Sequence, residues 1–248
     1  CRHVCELARA GQGTEVVVFD GQAAGLPAAD CYLTSAHGEL VAALSAAPGL
    51  PAVVRQHLRP LAARPLAYAA QGVAFLPWLP RCRLVIVGGG HVGRAVADLA
   101  AQLEFDIWIV DDRAEFVTAE RFPQAQRRVA GNLADVLPAL DITPDTYCLI
   151  MTRGHAQDAI ALYHLVNRPA RFVGMIGSQR KIQLIFDQLL REGLAEEALQ
   201  RVHAPLGIDI GSRTVPEIAV SICAELVADR NRQGRVPGRP PRAAAPPP

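Results

Sequence analysis

Leu84-Val85-Ile86-Val87-Gly88-Gly89-Gly90-His91-Val92-Gly93 decides the reading of this chain. A continuous apolar run is expected of a strand buried on both faces of a parallel sheet. A glycine turn at its end, followed by helical spacing over Ala95–Ala100, gives strand, turn and helix in the order the dinucleotide fingerprint needs. The glycines have separate jobs in that reading. Gly88 permits the tight turn, Gly90 lets the backbone approach a pyrophosphate, and Gly93 lets the helix pack against the strand. Main-chain N–H groups around His91 and Val92, with the helix dipole behind them, then favour an anion. An acidic residue should follow about 20 positions on, and Asp111-Asp112-Arg113 stands there. Asp111 is the better candidate for a ribose diol, because it directly ends the next apolar run. The plainer alternative is a glycine turn that only connects two elements.

Outward from this turn the chain alternates. Ile107–Val110, Arg127–Ala130, Tyr147–Met151 and Arg171–Ile176 read as further strands. Helical segments are expected over Leu133–Leu140, Ala156–Val166 and Ile182–Arg191. Alternation of this kind predicts right-handed βαβ units, hence an α/β fold with a doubly wound parallel sheet. We expect a Rossmann-like domain over residues 81–230, with strand order 3-2-1-4-5. Its last helix, Glu217 to about Ala228, is announced by the capping box Thr214-Val215-Pro216-Glu217. Residues 1–80 read as a small β-rich domain. Glu15–Phe19, Val53-Val54, Leu66–Tyr68 and Val73–Leu76 are its strand candidates, and Leu40–Leu44 is a helical turn. Residues 231–248, rich in proline and arginine without an acid, read as a disordered tail.

In such a sheet ligands sit at the carboxyl ends of the strands. Strand four ends in Thr152-Arg153-Gly154-His155, and strand five leads into Gly177-Ser178-Gln179-Arg180-Lys181. The second stretch has two readings. One is another anion cradle, because cations at a helix start oppose its dipole and a bound anion would relieve the conflict. The other is an ordinary serine N-cap with solvated cations. Lys181 is the one lysine among 25 basic residues, retained by chance or for a close contact. His155 has the position to donate to a ligand or shuttle a proton, and would be the catalytic residue of an enzyme; a solvated histidine is the alternative. Asp209, between Gly207 and Gly211, lies on a loop that either folds over a ligand or simply leads into the last helix.

Composition narrows the class. A net charge of +1 supplies no broad field for nucleic acid or an acidic membrane. No apolar run approaches the roughly 20 residues of a spanning helix. The chain opens on Cys1 rather than Met, as a fragment or processed chain would. Six cysteines are scattered without a CxxC pair, and no metal site is expected. Cys148 and Cys223 fall in apolar segments and read as small hydrophobes, so a reducing cytoplasm is the expected compartment. A homodimer is the default oligomer. No activated nucleophile or carboxylate pair stands out.

Taken together, Leu84–Gly93, Val110–Arg113, Glu115-Phe116 with Arg121-Phe122-Pro123, Gly174–Lys181 and His203–Glu225 resemble the xanthine dehydrogenase accessory protein family of the XdhC/CoxI type. The resemblance implies an accessory protein, or chaperone. Such a protein binds the molybdenum cofactor (molybdopterin, a pterin carrying a phosphate or a nucleotide), helps mature it, and delivers it to a xanthine dehydrogenase-like molybdenum hydroxylase. A cysteine desulfurase is a further implied partner. This chain departs from the family in two places. The usual Thr-His-x-His after strand four is Thr152-Arg153-Gly154-His155 here, and the family's early signatures are not visible in residues 1–80. From the residues alone two other classes stay open: an NAD(P)-dependent oxidoreductase, and a nucleotide-sensing module without chemistry.

Overall fold

The chain divides between Pro80 and Arg81 into two units, each with its own apolar core, and the computed structural model describes residues 12–46 and 49–231. In the first unit, β1 (Gly13–Val18) is followed by a short helix, α1 (Gly21–Ala24). The strands β2 (Cys31–Ser35) and β3 (Leu40–Leu44), the helix α2 (Ala52–His57), and the strands β4 (Tyr68–Ala70) and β5 (Val73–Trp78) complete it. The five strands pair antiparallel in the order β3-β2-β1-β5-β4. Val16, Val18, Tyr32, Val54, Val73 and Phe75 are buried together beneath the sheet.

Two expected elements change type here. Leu40–Leu44 is a strand, not a helical turn, because pairing along β2 outweighs the helical preference of leucine and alanine. Val53-Val54 lies inside α2, not in a strand. Pro51 starts that helix, and Val54 is carried to the core by it. The strand expected at Leu66–Tyr68 begins only at Tyr68, and β2 was not foreseen.

Among its described residues the second unit carries five parallel strands, β6 (Arg83–Val87), β7 (Asp106–Asp111), β8 (Arg127–Ala130), β9 (Thr146–Ile150) and β10 (Phe172–Met175), in the order β10-β9-β6-β7-β8. Its helices are α3 (His91–Gln102), α4 (Leu133–Val136), α5 (His155–Leu165), α6 (Gln179–Arg191), α7 (Glu196–Gln200) and α8 (Val215–Asn231). Leu84 to Val87 are all fully buried, and they alternate between two cores. Val85 and Val87 join Leu133, Leu162, Ile185 and Leu199 of α4 to α7. Leu84 and Ile86 join Val96, Ala97, Ile222 and Leu226 of α3 and α8. The helices after β6 and after β9 therefore cover opposite faces of adjacent strands, which opens a crevice between their carboxyl ends.

The outer edge of β10 is closed by the segment after α7. His203 pairs with Gly174, and Leu206 N–H donates to the Met175 carbonyl at 3.0 Å. An otherwise bare strand edge is thereby satisfied. The capping box at α8 forms as read: Thr214 N–H donates to Glu217 Oε2 at 3.0 Å, and Glu217 N–H reaches Thr214 Oγ1 at 3.4 Å. Cys148 and Cys223 are buried and free, and burial pushes their thiols up to about 12. Among the described residues, no helix is long and apolar enough to cross a membrane. Cys1, Cys5 and, apart from Asn231, the proline- and arginine-rich tail lie outside the described residues.

Candidate functional site

A shallow cleft, open to solvent, lies where the crevice is expected. Val87 and Gly88 at the end of β6 line it, with Asp111, Asp112 and Arg113 at the end of β7 and Thr152 and Arg153 after β9. Leu133 and Gln157 complete the wall. Strand tips thus converge on one place, which is why residues far apart in sequence share a site.

The glycine turn separates structural from open positions. Gly88 has φ of +118°, which side chains on an L-residue rarely tolerate. Gly93 is buried, and a Cβ there would overlap the Gly88 carbonyl oxygen. Gly90 is different. Its φ of −69° and ψ of −166° suit any residue, and a Cβ there would meet nothing within 4 Å. It is the N-cap of α3, no side chain caps the helix, and Gly90, His91 and Val92 stand outside the residues that line the cleft. His91 is exposed beside it, while Val92 packs half-buried toward the core.

Asp111 holds the turn rather than a ribose. It is 3 % exposed, and its Oδ2 accepts from Gly89 N–H at 2.8 Å. The guanidinium of Arg113 grips both its oxygens, Nε on Oδ1 at 2.9 Å and Nη2 on Oδ2 at 3.1 Å, and Arg113 N–H adds a bond of 3.0 Å. With both oxygens engaged from within the protein, the expected role in binding a ribose diol does not fit this residue. A sequence shows that a carboxylate ends a strand, not which way it points. Burial alone would raise the Asp111 carboxyl. The hydrogen bonds from the Arg113 side chain and from the Gly89 and Arg113 amides outweigh it and hold the carboxyl below the usual range. The folded value lies below the unfolded one of about 3.9, so the stabilisation is complete above that pH and drains as pH falls through the folded value. Asp111→Asn should cost about 2 kcal/mol at neutral pH. In thermal melts its deficit against the wild type should shrink below about pH 4; a constant deficit would show that ionisation is irrelevant.

Arg113 also lies over the Phe116 ring at 3.5 Å from its centroid, with Arg121 at 4.9 Å, and Arg121 Nη2 donates to the Gly89 carbonyl at 3.1 Å. Phe116 and Arg121 therefore read as supports of the turn, while Glu115 is exposed. Asp112 faces the cleft, with Oδ1 3.6 Å from Arg113 Nε and Oδ2 3.3 Å from Arg153 Nη2.

Lys181 pairs through Nζ with the buried carboxylate of Asp158. Asp158 Oδ1 in turn accepts from the N–H and hydroxyl of Thr152 on the cleft wall. Of the two cations at the start of α6, Lys181 is thus balanced by an internal acid, and Arg180 is exposed. Ser178 caps α6 by accepting from Lys181 N–H at 3.3 Å, and Gly177 is part of that cap turn. His155 is exposed at the start of α5, its Nε2 3.2 Å from Gln188 Oε1, and does not line the cleft. Asp209 is exposed and accepts from Gly211 N–H at 3.1 Å in a local turn. Its loop is tied to α8 by Glu225, which accepts from Gly207 N–H and meets His203 Nδ1 at 2.8 Å. Sequence reasoning passed over Arg153, Gln157 and Leu133. Arg153 could have been found from its place at the tip of strand four.

A family model described as the XdhC Rossmann domain matches residues 84–226. The uncharacterized protein YqeB of Escherichia coli (strain K12) is 43% identical over 152 residues, 61% of this chain and 28% of that protein. A probable xanthine dehydrogenase subunit of Bacillus subtilis (strain 168) is 24% identical over 153 residues, 62% of this chain and 44% of that one. The crystal structure of a xanthine dehydrogenase from Bacillus halodurans superposes with a TM-score of 0.72 over 96% of this chain and 65% of that chain. At 20% identity that likeness is one of fold. The matched stretches make up less than half the length of either curated relative. The family match covers the glycine turn, the Asp111–Arg113 corner, the Thr152–Arg153 tip and the capped last helix, and the chain belongs to the XdhC Rossmann-domain family of xanthine dehydrogenase accessory proteins.

Proposed function

We propose that this chain is an accessory protein to a xanthine dehydrogenase-like molybdenum hydroxylase, and that the uncapped start of α3, with the neighbouring cleft, takes the molybdenum cofactor by the phosphate end. The observation that carries this reading is Gly90: one glycine of the fingerprint faces open space at an uncapped helix start, beside others that are locked into the fold. Amides of the first turn of α3 would meet the phosphate, with Arg113 and Arg153 supplying positive charge from the β7 and β9 sides. When bound, the cofactor would bring the molybdenum chemistry that the recipient enzyme uses. This chain's own residues bind and orient.

The nicotinamide dinucleotide reading loses support because Asp111, its ribose carboxylate, is engaged inside the fold. His155, its acid or base, does not line the cleft. The test is anaerobic titration with cofactor released from a molybdenum hydroxylase, alongside NAD. Saturable binding of the pterin and none of NAD is expected, together with higher activity of a co-expressed hydroxylase. Binding of NAD alone would overturn the assignment.

A further inference from the structure

The cleft contains an anion of its own. Asp112 lies between a guanidinium after β7 and one after β9, 3.6 Å from Arg113 and 3.3 Å from Arg153. Arg113 is already gripped from below by buried Asp111. The two carboxylates and two guanidiniums sum to zero, so the wall beside the glycine turn is neutral although two arginines form it. The two acids differ in how firmly they are held. Asp111 is buried with three kinds of donor on it, whereas a quarter of the Asp112 side chain and 60% of that of Arg153 are exposed. An exposed ion pair beyond 3 Å is weak and exchanges readily.

We propose that Asp112 is a tethered competitor for the anionic end of the ligand, and so a specificity-determining residue of this cleft. It occupies the cationic pair until a guest of higher charge density displaces it. A diphosphate does this better than a single inorganic phosphate, because it brings more negative charge and more acceptor oxygens to the same two guanidiniums. The ligand class admitted is therefore one bearing a diphosphate. This inference rests on the phosphate-end reading of the cleft given above.

Calorimetric titration with inorganic pyrophosphate and with inorganic phosphate tests it, on wild type, Asp112→Asn, Asp112→Ser and Arg153→Gln. Both Asp112 variants should bind pyrophosphate about tenfold more tightly than wild type, since one unit of repulsion is removed at close range. They should also bind inorganic phosphate more nearly as well as pyrophosphate. The gain should shrink at high ionic strength. Arg153→Gln should weaken binding several-fold. Folded Asp112 variants that bind pyrophosphate no better than wild type would overturn the proposal. If wild type still binds and Gly90→Val abolishes it, the phosphate reading survives that outcome. If neither wild type nor the Asp112 variants take pyrophosphate or cofactor, both readings fall.

Discussion

Replacing Gly93 by alanine is expected to destabilise the second unit by about 2–3 kcal/mol, against the usual sign for glycine in a helix. In an exposed helix the change would stabilise by about 1 kcal/mol through propensity. Here the added Cβ would overlap the carbonyl oxygen of Gly88. That oxygen belongs to a residue with little room to move: Gly88 N–H donates to the Val110 carbonyl at 2.8 Å, and its φ of +118° is fixed by the turn. Either α3 must lift from β6 or the turn must deform. Lifting α3 disturbs the packing of Val96, Ala97 and Ala100, all fully buried against Ile86 and α8. Overpacking of backbone on backbone lies at the upper end of the usual range of about 1–3 kcal/mol, so it outweighs propensity. Urea denaturation should show a lower midpoint with an unchanged slope. A midpoint at or above that of the wild type would mean that α3 does not pack as described.

The parallel sheet was legible because its signal is local and repeated. Leu84–Val87, Ile107–Val110 and Tyr147–Ile150 are apolar runs flanked by turns, and a strand buried on both faces leaves few alternatives. The first unit was less legible for the opposite reason. Leu40–Leu44 owes its strand to hydrogen bonds with β2, and Val53-Val54 owes its helix to the placing of Pro51 and the burial of Val54. Both are tertiary decisions that override propensity. At the site, the glycine spacing placed the turn, because sterics at Gly88 and Gly93 admit little else. What spacing could not convey was the direction of charge. Asp111 and Asp112 are neighbours in sequence, yet one points into the turn and the other into the cleft. Lys181 looked like an invitation to an anion, and its partner Asp158 lies 23 positions earlier on another helix. Pairings of this kind are fixed by the fold, and no periodicity in the chain announces them.

Gly90→Val, three positions from Gly93 in the same fingerprint, should behave in the opposite way: the fold survives and ligand binding is lost. The backbone there, at φ −69° and ψ −166°, is one that valine adopts, and a Cβ meets no atom within 4 Å. The cost to stability is that of a poor N-cap, at most about 1 kcal/mol. A branched side chain at the cap would stand in front of the first-turn amides of α3, where the phosphate is proposed to sit. Losing two charge-assisted hydrogen bonds of about 1.5–3 kcal/mol each weakens binding by at least about 100-fold. Gly90→Ala should fall between, since a methyl group shifts a phosphate without excluding it. Side-by-side melting curves and anaerobic cofactor titrations separate the two glycines: Gly93→Ala moves the melt, and Gly90→Val moves the affinity. If Gly90→Val binds as tightly as wild type while remaining folded, the open face of the turn is not where the anion goes, and the cleft must be read from Arg113 and Arg153 alone.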